Sequence, residues 1–255
     1  MAPVLLLTAL LFQAGSNAPY YIEASIANSA ASIPDFYAPN TFITIYGVNL
    51  AYVTKAMTAD DLSGSMLPTA LIGTGVRVLI NQISAYIYYV SPSQINLLIP
   101  TLLIAGPATV QVEVNGLAGP AVTIMLGATA PTLFELDSAT VLATHLNGSM
   151  VTADAPAHAG EVIVLYATGL GPTVPAAIPN QIPTSLAVIA ARDFQVQLNG
   201  VAVDRGQVLY AGVVPGYAGL YQINLRVPGD APRNPEVRVG TNGRMSPAGL
   251  YLPVQ

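Results

Sequence analysis

Three features of the sequence mark an all-β chain folded as two tandem immunoglobulin-like β-sandwich domains. Short runs rich in β-branched and aromatic residues follow one another between Gly, Pro and Asn. No helical period is sustained beyond the first residues; Ala51–Ser65 has room for a single helical turn. The second half of the chain then repeats the phrases of the first half in the same order.

In the first half the strand candidates are "NTFITIYG" (40–47), "VRVLIN" (76–81), "AYIYYV" (85–90), "QINLLIP" (94–100), "ATVQVEVNG" (108–116) and "AVTIML" (121–126). In the second half "EVIVLYATGLGP" (161–172) answers "TFITIYGVNLA", and "FQVQLNG" (194–200) answers "VRVLINQ". Likewise "YQINLRVP" (221–228) answers "SQINLLIP", and "PEVRVGTNG" (235–243) answers "TVQVEVNG", at offsets of 118 to 128 residues. Each half is then a lobe of about seven short strands, the pattern of an immunoglobulin-like sandwich. The expected division is a leader at 1–18, one lobe at 19–128 and a second at 129–255, joined near "GATAPTLF" (127–134).

Within the doubled phrase, Ile95, Leu97 and Ile99 alternate with Gln94, Asn96 and Leu98, and Ile223, Leu225 and Val227 with Gln222, Asn224 and Arg226. A two-residue period sends the first set of each strand to the core and the amides to the other face. Pro100 and Pro228 remove a ladder donor and stop the strands. The Gln-Ile-Asn amides read first as an inter-strand or turn-stabilising polar pair and second as ligand contacts.

Composition narrows the function. Of 255 residues 53% are hydrophobic and 8% charged, against about 25% charged in an average soluble domain. A net charge of −5 and eight scattered basic residues leave no footprint for nucleic acid. Without Cys there is neither a disulfide framework nor a thiolate metal site. An outer-membrane barrel needs strand after strand of ~10 alternating residues, and 21 Pro and 22 Gly interrupt this chain too often for that. The opening "MAPVLLLTALLFQAGSNA" has an apolar run, Val4–Phe12, and a small-x-small site at Ser16-Asn17-Ala18. It reads as an export signal rather than a buried strand, and is too short for a bilayer-spanning helix. The mature chain is therefore expected outside the cell, secreted or on its surface, with no membrane span.

The phrases "APNTFITIYGVNLA", "YVSPSQINLLIP", "APTLF", "PAHAGEVIVLYATGLGP" and "YAGVVPGYAGLYQINLRVP" resemble, in order, those of the Solibacter uncharacterized C-terminal domain family of acidobacterial exported proteins. The resemblance runs from about Ile22 to Gln255 and implies lobes similar to the immunoglobulin-like fold of plexins and transcription factors. It implies no activity and no catalytic residues. This chain has Pro39-Asn40 where the family usually has Pro-Gly, and Asn still supplies a left-handed turn residue.

No catalytic pattern stands out. His145 and His158 lack metal-pair spacing and read as solvated loop residues. "ATGLGP" (167–172) has neither the lysine nor the helix of a phosphate loop, and reads as a turn at a sandwich end. Asp60-Asp61 is the best cation candidate, yet two adjacent carboxylates fall short of the six to eight oxygens of calcium, so a solvated loop is expected. Lys55, the single lysine, reads as exposed rather than as one end of an isopeptide crosslink.

Tyrosine is in excess, with thirteen Tyr against five Phe and no Trp. Alternation puts Tyr86 and Tyr88 on one face and Tyr89 on the other. Most of the rings read as core or corner tyrosines; Tyr86, Tyr88, Gln94, Asn96, Tyr217, Tyr221, Gln222 and Asn224 are the candidate contact residues, since Tyr-rich, weakly charged surfaces suit protein contacts or, less well without Trp, sugar stacking.

The expectation is a non-catalytic structural, adhesion or assembly module of the bacterial exterior, without a cofactor, that associates with itself or with another surface protein. The segment Tyr20–Asp35 is expected to cover a sheet edge in its own lobe or a neighbour's. The alternative is a glycan-binding module; a hydrolase would require acids from distant loops to converge.

Overall fold

The structure, a computed structural model, describes residues 17–34 and 36–255. The leader expected at 1–18 lies, up to residue 16, outside the described residues.

Lobe 1 contains β1 (Ile26–Asn28), β2 (Phe42–Tyr46), β3 (Lys55–Ala56), β4 (Val76–Ile80), β5 (Ile83–Ser84), β6 (Tyr86–Ser91), β7 (Gln94–Leu98), β8 (Gly106–Val114), β9 (Leu117–Ala118) and β10 (Val122–Leu126). They form two antiparallel sheets, β1-β2-β7-β6-β3 and β10-β8-β4-β5, with β9 hairpinned onto β8. Lobe 2 contains β11 (Thr132–Leu133), β12 (Ala143–His145), β13 (Val162–Thr168), β14 (Thr173–Val174), β15 (Ala187–Ile189), β16 (Gln195–Leu198), β17 (Val201–Ala202), β18 (Val208–Val213), β19 (Tyr221–Arg226), β20 (Val237–Thr241) and β21 (Arg244–Met245). Its sheets run β11-β13-β19-β18-β15-β14, with β12 also on β13, and β17-β16-β20-β21.

The chain is thus all-β, two tandem sandwiches of the immunoglobulin-like kind, and the topology shows the duplication. The β2-β7-β6 core of one sheet corresponds to β13-β19-β18, and β8-β4 to β20-β16. Alternation places the cores: Ile43, Ile45, Ile95 and Leu97 meet Val76, Val78, Ile80, Val110 and Val112 inside lobe 1. Ile163, Leu165, Ile223 and Leu225 meet Val196, Val237 and Val239 inside lobe 2.

Hairpin turns explain much of the register. Asn81-Gln82, Asn115-Gly116, Asn199-Gly200 and Asn242-Gly243 each place two successive residues at positive φ. That is the two-residue turn whose twist matches paired strands, and Asn and Gly enter it at least cost. Asn40, at φ 63, supplies the left-handed residue before β2.

The structure changes three expectations. The turn expected in Ala51–Ser65 is a 3-10 turn at Ala59–Asp61, and Asp61 is not a solvated loop residue. Its side chain is fully buried, 2.7 Å from the Lys55 ammonium, and also accepts from the Ile72 and Thr58 amides and the Thr58 hydroxyl. Burial by itself would raise its pKa; these donors outweigh that and hold it far below the usual carboxylate range. Lys55 is not a free surface lysine but is tied down on β3 by this pair and by the Ile72 carbonyl. His145 is not a solvated loop residue but lies on β12 with its Nδ1 2.5 Å from Glu161 Oε1. His158 is exposed, and its backbone amide donates to the other Glu161 oxygen.

Of the segment expected to cover an edge, residues 26–28 do so within their own lobe, as β1 against β2.

Candidate functional site

The two lobes are joined by a seam. Thr168 Oγ1 accepts from the Phe42 amide at 3.3 Å and donates to the Gly219 carbonyl at 3.0 Å. Asn28 Nδ2 donates to Thr132 Oγ1 at 3.0 Å in a buried setting. Backbone bonds from Leu67 to Asn180 and from Ile182 to Ser65 add a short ladder across the junction. Arg244 lies 3.8 Å over the Phe36 ring and donates to the Thr129 carbonyl. A small apolar cluster fills the contact: Leu67, Tyr86 and Leu98 from lobe 1, Ala218 from lobe 2, flanked by Phe42, Tyr88 and Ile182. Gly169 (φ 71) is needed here, because a Cβ would stand 2.1 Å from the Ala130 carbonyl oxygen of the connecting segment and 3.1 Å from Thr41 Oγ1 of lobe 1. The "ATGLGP" turn is therefore a joint between lobes.

Tyr86 and Tyr88 belong to this seam, where Tyr88 packs edge-on against Phe42 with ring centroids 5.1 Å apart. The alternation that put Tyr89 on the opposite face fails for a local reason. Between Ile87 and Tyr89 the register with β7 slips by one residue, a bulge at Tyr88. Ile87 and Val90 face the core while Tyr89 pairs with Asn96, so Tyr86, Tyr88 and Tyr89 share the outer face.

That outer face carries no charge on β2, β6 or β7. Its end near lobe 2 is covered by the seam cluster. Its far end is open and holds Tyr46, Gln94, Asn96 and Tyr89, with Tyr46 opposite Gln94 and Asn96 opposite Tyr89. Gln94 Nε2 donates to Asn96 Oδ1 at 2.8 Å, and Thr44 Oγ1 to the same oxygen at 3.2 Å, with Ser29 Oγ 2.9 Å beyond Thr44. Tyr46 is 43% exposed, and Tyr20, bridged to Val48 beside it, is 55% exposed. The Gln-Asn bond runs within the strand rather than between strands or at a turn, with only the Thr44 bond reaching across, and it leaves an Asn96 amino group and a Gln94 carbonyl oxygen for further bonds.

The other expected contact residues separate. Gln222 and Asn224 make the same pair on lobe 2, at 2.6 Å. Tyr217 is 63% exposed in the β18–β19 connection. Tyr221 points inward; its hydroxyl donates to the Gly171 carbonyl and accepts from Asn40 across the seam. Burial pushes its phenol up to about 12. Beside it lies a cleft of about 360 Å³ between the lobes, walled by Pro39, Leu103, Ile104, Pro172 and Ala177. Asp60 is exposed and Asp61 is engaged by Lys55. Among the described residues no group of three His, Cys, Asp or Glu is placed to hold a metal ion.

Tyr46 and Tyr20 were missed from the sequence. Tyr46 was within reach, as the last outward residue of "FITIY"; the bridge between Tyr20 and Val48 has no local signal.

No known protein family matches the chain, and no curated protein does. Solved structures with some similarity include the surface glycan-binding protein PbSGBP-B from Prevotella bryantii, at 12% identity, covering 93% of this chain and 42% of that one, with a TM-score of 0.30. Another is the SGBP-B of a Bacteroides ovatus mixed-linkage glucan utilization locus, in complex with a mixed-linkage heptasaccharide, at 11% identity, 94% and 43% coverage and a TM-score of 0.37. A third is the I9-I11 tandem of titin, at 11% identity, 92% and 63% coverage and a TM-score of 0.22. The chain spans less than half the length of the two glycan-binding proteins. Likeness this slight assigns no ligand. No helix among the described residues is long and apolar enough to cross a membrane.

Proposed function

We propose that this chain is a non-catalytic module of the bacterial exterior that binds a neutral glycan on the outer sheet face of lobe 1. The observation that carries the reading is the open end of that face, where Tyr46, Tyr89, Gln94 and Asn96 adjoin one another with no charged side chain among them. Aromatic rings accept the apolar C–H face of a sugar, and carboxamides meet its hydroxyls as donor and acceptor. An uncharged face takes a neutral polar ligand without stranding a charge away from water. The seam holds this platform on a rigid support.

Isothermal titration of the protein from residue 19 onward with soluble neutral polysaccharides tests this, with a polyuronate as control. Binding to at least one neutral polymer that Tyr46→Ala abolishes is expected. Absence of binding across glucans, xylans and mannans would overturn it.

Self-association is a second reading, favoured by β10. This five-residue uncharged strand pairs with β8 along one side, while among the described residues its other side is bridged only at Leu126, to Tyr37, and its Met125 is 58% exposed. Sizing at millimolar concentration separates the two readings: a strict monomer removes this one.

A further inference from the structure

The duplication permits a comparison inside one molecule. Register places Tyr166 opposite Gln222 and Tyr210 opposite Asn224 in lobe 2, as it places Tyr46 opposite Gln94 and Tyr89 opposite Asn96 in lobe 1. Even the bulge recurs, at Leu209 in lobe 2 as at Tyr88 in lobe 1. Elsewhere on the same outward surface the two copies have diverged: Thr44 corresponds to Val164, Tyr88 to Leu209, Ser91 to Gly212 and Leu98 to Arg226. The four side chains kept in both lobes are mutual neighbours.

The Gln–Asn bond gives two of the four a shared structural duty, but the tyrosines have none. The Tyr166 hydroxyl bonds Thr144 Oγ1 at 3.2 Å, and the Tyr210 hydroxyl donates to the Val213 carbonyl, with the Ala187 carbonyl 3.3 Å away. The hydroxyls of Tyr46 and Tyr89 make no comparable bond among the described residues. Rings retained at matching outward positions without matching intramolecular partners point to a shared external one.

We propose that Tyr166, Tyr210, Gln222 and Asn224 form a second site for the same class of ligand, a neutral hydroxyl-rich polysaccharide, so that one rigid chain is bivalent. This rests on the reading of the lobe 1 face given above. Two sites on one body convert the second binding event into an intramolecular one, which raises apparent affinity for a polymer by ~10²–10⁴ when both can engage the same strand.

The test uses the chain from residue 19 onward with a short oligosaccharide cut from whichever neutral polymer binds, and then with the polymer itself. The lobe 1 variant is Tyr46→Ala with Asn96→Ala; the lobe 2 variant is Tyr166→Ala with Asn224→Ala. Gln222→Glu serves as a milder lobe 2 variant, since it adds a carboxylate without removing side-chain volume. Each is checked for an unchanged urea midpoint.

Titration with the oligosaccharide is expected to give two sites per chain in the parent protein and one in each variant. Affinity for the polymer is expected to fall at least tenfold in either. A single site that survives the lobe 2 variants and vanishes in the lobe 1 variant would overturn bivalency while leaving the lobe 1 site standing. A parent protein that binds no oligosaccharide would overturn both.

Discussion

Tyr89 and Tyr210 occupy the same place in the two lobes: each follows a one-residue bulge and stands opposite the Asn of the neighbouring strand, Asn96 or Asn224. A bulge re-aims the residues after it, so each Tyr joins the Gln-Asn side of its sheet. Strict alternation would have turned each one inward.

Asp61 and Asp60 are adjacent and should differ sharply on truncation. Asp61→Ala leaves the Ile72 and Thr58 amides without their acceptor and Lys55 without its counter-ion. A loss of about 3 kcal/mol is expected. Asp60→Ala, at an exposed position, should stay within ~0.5 kcal/mol of the parent. Urea midpoints measure both, and equal values would refute the buried pair.

Ile223 is fully buried between the sheets of lobe 2. Ile223→Ala should destabilise by about 2–5 kcal/mol, from lost transfer energy and the cavity left behind. The matching Ile95→Ala should cost a similar amount, because both sit at one position of a duplicated strand. Chemical denaturation followed by circular dichroism reads both.

Gly169→Ala tests the seam. A methyl group there would meet the Ala130 carbonyl at 2.1 Å, on a backbone already at positive φ. The expected outcome is a loss of about 1–3 kcal/mol, together with faster proteolysis in residues 127–131. A variant as stable and as protease-resistant as the parent would show that the junction does not need this close approach.

His145 and Glu161 predict a pH dependence. The Glu161 hydrogen bond raises the His145 pKa. Burial would raise that of Glu161, but the His145 bond lowers it on balance. A raised histidine contributes stability that is complete below its unfolded value of about 6.5 and is lost as pH rises through the folded value. A depressed glutamate contributes above its unfolded value of about 4.3, and its share is lost as pH falls through the folded value. The pair should stabilise most between these limits, and the urea midpoint should fall from pH 6 toward pH 9. His145→Gln should flatten that decline; an unchanged slope would contradict the assignment.

What was legible in the sequence followed from period and repetition. Alternation in "QINLLIP" and "QINLRVP" located the core side of both strands, since a half-buried strand shows its period directly. Three kinds of feature were not legible. A bulge adds one residue without a distinctive composition, so Tyr89 was placed on the wrong face. The Asp61–Lys55–Ile72 knot closes through tertiary contact around a short 3-10 turn, and a DD dipeptide beside threonine looks like any polar loop. The seam joins residues as far apart as Asn40 and Tyr221, which no local pattern connects.

Side-chain amide NMR separates the outer amide-and-tyrosine face from the inter-lobe cleft as the binding surface. The Nδ2 and Nε2 protons of Asn96, Gln94, Asn224 and Gln222 report on the two faces, while those of Asn40 report on the inter-lobe cleft. On titration with a neutral oligosaccharide, the resonances of Gln94 and Asn96 should shift in saturable fashion, and Asn40 should not move. Shifts confined to Asn40 and the residues around Tyr221, with the Gln94 and Asn96 amides unmoved, would contradict binding on the outer face.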